Sequence, residues 1–261
     1  MKKLNTPYLD VVYCHDVEFV TPPEVLDAIK ELRRIRDEEG TIKYVGISGY
    51  PVALLCDLAE LILRETGEPL DAVMSYANYT LQNNTLETVG LERLRAAGVS
   101  IVPNASPLGM GLLRHVGVPV GGKGDFHPAP KELRERVALA AKYIEETGER
   151  LETVSIRWAL ESWAKVGASV GSNGKLGVSV MGVSKHSELE ETMRVWASVL
   201  DGLEPASASS TGDKSWSLGR REEVQEKGAK IQELLGEWKD YVWASPDPSY
   251  VNVRTVKGVP K

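Results

Sequence analysis

Short apolar runs alternate with longer amphipathic stretches along this chain. Tyr8 to Cys14 reads as a buried strand, with "LDVVYC" (9–14) at its centre and the polar His15 and Asp16 where it ends. Residues 22–40 open on proline, close on glycine and keep Val25, Ile29, Leu32 and Ile35 on one side, which predicts a helix. The same reading gives strands over 42–48, 71–79 and 99–106, with helices over 51–67 and 86–98 between them. Strand starts recur at a spacing of roughly 30 residues, the size of a βα unit.

The pattern then loosens. Residues 107–130 are rich in glycine and proline and read as a loop. Helices are predicted over 131–148 and 152–166, the second with Thr153 as its cap, and 167–177 reads as a flexible turn. A fifth strand over 178–184 leads to a helix over 188–200. Beyond 201 come a polar linker, a charged amphipathic helix near 220–240 that should pack on the outside of the body, and an irregular segment, 241–261. Its aromatic residues could pack on the body. The expected division is therefore a body over 1–200 and a linker, helix and tail over 201–261.

Strands separated by helices, with no hairpin signals, make a parallel α/β sheet. No G-x-G-x-x-G follows the first strand, which sets aside the dinucleotide-binding open sheet. A closed (β/α)₈ barrel needs about 250 residues, and only five units are legible here.

Composition narrows the classes of function. Of the 261 residues, 42% are hydrophobic and 26% charged, and the net charge is −6, which weighs against a nucleic-acid partner. No run reaches the ~18 apolar residues of a membrane span, and the start, "MKKLNTPYLD", lacks an apolar signal core. With Cys14 and Cys56 the only cysteines, a reducing cytoplasm fits best. Zinc-ligand spacing and a Walker loop are both missing.

Five blocks in order, "YLDVVYCHD", "IKYVGISGYP", "SYANYTLQNN", "NASPLGMGLL" and "VMGVSKHSELEET", resemble the aldo-keto reductases. Within that family the likeness is to the aldose dehydrogenases of the L-galactose and D-arabinose branch. The resemblance implies a partial TIM-type (β/α) barrel, strands four to eight of eight, with an extra C-terminal helix. His15 then matches the histidine that hydrogen-bonds the substrate carbonyl. The family's proton-donating tyrosine, with its lysine and aspartate, belongs to the first three units, which these residues do not match. The sequence therefore reads as a shortened form of a longer reductase, impaired in turnover. The open sheet it would leave calls for another chain or an oligomer to complete the barrel.

The resemblance also implies a cofactor, NAD with NADP disfavoured. Ser48 matches the serine that holds the nicotinamide carboxamide, while its neighbour Gly49 stands where an asparagine is usual. The next contact falls on Ser75 or Tyr76. Ala105 stands where many members stack a tyrosine. The diphosphate would lie over Ser106, Leu108 and Gly109. The adenosine end would meet Gly182, Val183 and Ser184, which lead into a helix N-terminus suited to phosphate. Glu191 matches an adenine-side acid, and Glu188 stands where many members place an arginine for a 2′-phosphate. The implied partner is a small carbonyl or sugar substrate.

Blander readings stand beside these. His115 and His127 lie in the long loop and should be exposed. Lys185 and His186 could grip phosphate or be solvated surface. "GGKGD" (121–125) resembles a phosphate loop without its flanking strand and helix. Trp158, Leu160 and Trp163 read as core. Two rival functions remain: a lyase, isomerase or cyclase using His15 and Asp16 as acid and base, or a non-catalytic nucleotide-binding partner.

Overall fold

The computed structural model describes residues 2–119, 126–170, 176–203 and 218–252. Five parallel strands, β1 Leu9–His15, β2 Ile42–Gly49, β3 Ala72–Tyr76, β4 Asn104–Ala105 and β5 Ser179–Val180, lie side by side in chain order. Helices α1 Pro22–Arg34, α2 Val52–Thr66 and α3 Leu91–Ala96 make the first crossovers, and α4 Lys131–Glu146 and α5 Leu151–Val166 join β4 to β5. Helix α6 His186–Leu203 follows β5, and α7 Leu218–Leu235 packs against α4 and α5. The 121–125 segment and the 204–217 linker lie outside the described residues.

One face of the sheet carries the core. Val45 and Ile47 of β2 and Val73 of β3 pack with Leu55, Leu58 and Ile62 of α2, all fully buried. Tyr79 joins this core by stacking on Trp158 and tilting onto Trp163, so the tryptophan stripe is indeed interior. The start of α1 is fixed locally: Glu24 Oε2 accepts the Thr21 N–H at 2.8 Å, just before Pro22.

Several expectations change. β1 is not a buried strand, because no residue in it is fully buried. Among the described residues it is an edge, paired on one side only. Val12 and Cys14 pack toward the core, while Val11, paired with Tyr44 of β2, is exposed with it. Ile101, Val178 and Val180 are exposed as well. β4 and β5 shrink to two residues each. Pro103 has no N–H to give to a ladder, which breaks the 99–106 run. Thr153 is not a cap: the helix is entered from Arg150, and the Thr153 hydroxyl donates to Glu191 Oε1 at 3.0 Å. His127 is 2% exposed rather than solvated. Its Nε2 meets the Gly109 carbonyl at 2.9 Å, and its Nδ1 accepts the Ala129 N–H at 3.1 Å.

Candidate active site

The strand ends bring the candidate residues together because parallel strands present all their C-termini on one side. Register pairs His15 with Ser48, Gly49 with Ser75, and Tyr76 with Ala105. His15 Nδ1 and Ser48 Oγ share a hydrogen bond at 2.8 Å, and His15 Nε2 lies 3.5 Å from Asp16 Oδ1. The His15 side chain is 62% exposed, so the imidazole faces solvent at the mouth while Ser48 beneath it is buried. Asp16 takes a left-handed conformation, φ 56°, and turns the chain out of the strand.

Of the two strand-end candidates on β3, the structure separates one from the other. Ser75 is buried, and its Oγ accepts from Asn78 Nδ2 at 2.9 Å. Tyr76 is half-buried, with its ring edge-on to His15 at 6.5 Å. Burial pushes its phenol up from the usual tyrosine range, and the negative charges of Glu18 and Asp16 push it further.

Along β4 and β5 the site opens into two adjoining cavities of about 250 and 270 Å³ that share Leu108, Arg114, Met181 and Gly182. Ser106 lines the second, and Val183 and Glu191 line the first. Gly109 lines neither, but its carbonyl is the one held by His127. Arg114, Arg150 and Lys185 bring cationic side chains to the first cavity. Ser184 does not offer its N–H freely. Glu188 Oε2 accepts the N–H of Ser184 at 2.8 Å and of Lys185 at 3.3 Å, and Arg114 donates to Glu188 Oε1 at 3.2 Å. These bonds, the Ser184 N–H first, hold the Glu188 carboxyl below its usual range. The anion position at the start of α6 is therefore filled by the chain's own carboxylate.

The sequence pattern for one family accounts for most of this chain: the model of the aldo/keto reductase family matches residues 1–207. The chain belongs to the aldo/keto reductase family. D-arabinose 1-dehydrogenase of Saccharomyces cerevisiae is 43% identical to this family member over 191 residues, 72% of the chain and 52% of that enzyme. L-galactose dehydrogenase of Arabidopsis thaliana is 26% identical over 194 residues, 74% of the chain and 54% of that enzyme. The chain thus spans about half the length of the curated relatives it matches. A crystal structure of a thermostable aldo-keto reductase with the inhibitor epalrestat aligns at a TM-score of 0.46 and 17% identity, over 89% of this chain and 62% of that one.

Sequence reasoning missed two residues of this candidate site, Glu18 and Arg114. Glu18 had a signal, an acid inside the otherwise apolar "VEFV" just past a strand end. Among the described residues no cluster of His, Cys, Asp or Glu could hold a metal ion, and no helix is long and apolar enough to cross a membrane.

Proposed function

We propose that the chain supplies strands four to eight of a reductase barrel, and with them the cofactor side of an NAD-dependent aldose dehydrogenase. The observation that carries this reading is the His15–Ser48 pair at the ends of β1 and β2, on the same sheet whose last two strands lead to a cavity lined by cationic side chains. The dehydrogenase relatives named above act, by their names, on D-arabinose and L-galactose. The body would be residues 1–200, with 201–261 as linker, helix and tail. Two free cysteines fit a reducing cytoplasm.

The residues present suit a dinucleotide. Ser48 and Tyr76 offer hydroxyls for a carboxamide. The Leu108 backbone and the Arg114 guanidinium would face a diphosphate, whereas the Ser106 N–H is already given to the Val180 carbonyl and the Gly109 N–H to the Ser106 carbonyl. Gly182 and Val183 would flank the adenosine end, where Glu191 accepts the Thr153 hydroxyl. Glu188 fills the donors that a 2′-phosphate would need, and its charge repels that group, which favours NAD over NADP. The chemistry that a nicotinamide dinucleotide supplies in this site is acceptance of hydride from the anomeric carbon of an aldose.

The chain's own groups orient rather than move the proton. His15 Nε2, exposed at the mouth, can hydrogen-bond the sugar oxygen while Nδ1 is fixed by Ser48. Tyr76 sets a phenol edge-on to His15, but burial and the flanking carboxylates of Glu18 and Asp16 raise its pKa, so it stays protonated near neutrality and is not available as a base. An acid–base group from outside these residues, with cover for the open strand edge, would complete the site.

Fluorescence titration of the 261-residue chain tests this reading. NAD should bind tighter than NADP, and aldose oxidation by the chain alone should fall below about 1 s⁻¹, the lower end of ordinary turnover. Equal affinity for the two would remove the cofactor preference, and full-speed oxidation would remove the need for a completing group.

A further inference from the structure

Glu18 is a buried acid with an unusual set of neighbours. It is 7% exposed and lies three residues past the end of β1. Its Oε1 accepts three hydrogen bonds: the Tyr50 N–H at 3.0 Å, the Ser245 hydroxyl at 3.1 Å and the Tyr76 hydroxyl at 3.3 Å. Among the described residues its Oε2 is buried with no hydrogen-bond partner. A buried carboxylate oxygen left unpaired costs stability, so the arrangement needs a reason other than folding.

The space for this carboxylate exists because residue 49 has no side chain. A Cβ on Gly49 would lie 2.4 Å from Glu18 Oε2, closer than real contacts allow. Gly49 follows Ser48 and pairs in register with Ser75, beside Tyr76. The carboxylate thus fills the floor of the mouth between the ends of β2 and β3. From there it reaches a segment more than two hundred residues away. That segment also stacks Trp243 on Tyr50 at 4.7 Å and sets Tyr250 edge-on to Phe19 at 5.0 Å.

We propose that Glu18 is a positioning residue: it fixes the Tyr76 phenol beside His15 as a hydroxyl for the nicotinamide end of the cofactor, in the space Gly49 leaves open. The same oxygen ties that platform to Ser245, so the C-terminal segment and the cofactor floor are set by one group. This rests on the reading of the mouth as a nicotinamide site, and it adds a residue that acts through Tyr76 rather than touching ligand.

The test compares NADH with ADP-ribose, which shares the diphosphate and adenosine but lacks nicotinamide. In the full chain, Glu18→Ala should weaken NADH binding about tenfold, one hydrogen-bond network's worth, and leave ADP-ribose within about twofold. Glu18→Gln keeps the acceptor and should stay near wild type. Gly49→Ala should show the same selective loss as Glu18→Ala, and the double variant should lose no more than either alone. Hydrogen exchange at the Tyr50 amide should quicken in Glu18→Ala and Gly49→Ala. Equal losses for both ligands, additive losses, or an unchanged NADH affinity would each overturn the proposal while leaving the cofactor reading intact. A wild-type chain that binds ADP-ribose and NADH equally would overturn both.

Discussion

The two ends of the site are built differently. At the mouth, β1, β2 and β3 run for 7, 8 and 5 residues, and their side chains are locked by short bonds such as His15 to Ser48. At the other end, β4 and β5 pair over two residues each, and Gly182, Val183 and Ser184 are exposed. The first end is held by a continuous ladder over a packed core. The second is held by loops, a few charge contacts and one buried histidine. Long ladders fix the geometry of the first end, and the second end, with little backbone pairing, is left open.

Substitutions at the two ends measure that contrast. Ile47, fully buried under the mouth, should cost about 2–5 kcal/mol when cut to alanine, read as a lowered denaturation midpoint. A cost under about 1 kcal/mol would mean the mouth is no firmer than the rest. At the loose end the effect is on ligand, not fold. Glu188→Ala frees the N–H groups of Ser184 and Lys185 and removes a negative charge. NADP should then gain about tenfold on NAD, the size of one charge-assisted bond. An unchanged ratio would show that Glu188 does not set the preference.

Acid should loosen the second end first. His127 bridges the two ends, through the Gly109 carbonyl and an edge-on contact with Trp243 at 5.1 Å. Burial chiefly lowers its pKa, and the Arg134 guanidinium adds to the lowering. Since Nδ1 accepts the Ala129 N–H, a proton can be added only by breaking that bond. The unfolded chain takes up the proton near 6.5, and the folded chain only at lower pH. Stability from this group is therefore full above that range and is lost as pH falls through it. Melting temperature between pH 7 and pH 5 should drop less in His127→Asn than in wild type; parallel curves would remove His127 as the cause. The smallest effect is expected at Val180, 43% exposed on β5, where alanine should change stability by no more than about 0.5 kcal/mol. A larger loss would mean that the open face is covered in solution.

Much of the frame was legible because it is written in local periodicity. The helices over 22–34, 52–66, 131–146 and 151–166 follow from apolar spacing and from proline and glycine at their ends. So does the strand order, since βα units of this length leave each strand beside its predecessor. Local signals failed where neighbours decide. β1 reads as buried from its own residues, yet burial depends on what lies across the sheet. The 107–130 loop looked solvent-facing, but it folds back so that Gly109 and Arg134 close on His127, and Trp243 covers it from the far end of the chain.

By itself, the sequence determined the family, the alternation of strands and helices, and the candidates His15 and Ser48, because each rests on residues close in the chain. Only the tertiary structure decided that Tyr76, not Ser75, faces the mouth, that Glu188 fills the anion position of α6, and that Glu18 joins three elements. The Tyr76 and Glu18 facts depend on contacts across tens to hundreds of residues, such as Glu18 with Ser245, 227 positions apart, whereas Glu188 reaches back only to Ser184 and Lys185. No period in the sequence records such a contact, since it exists only once the strands have paired and the C-terminal segment has folded back over their ends.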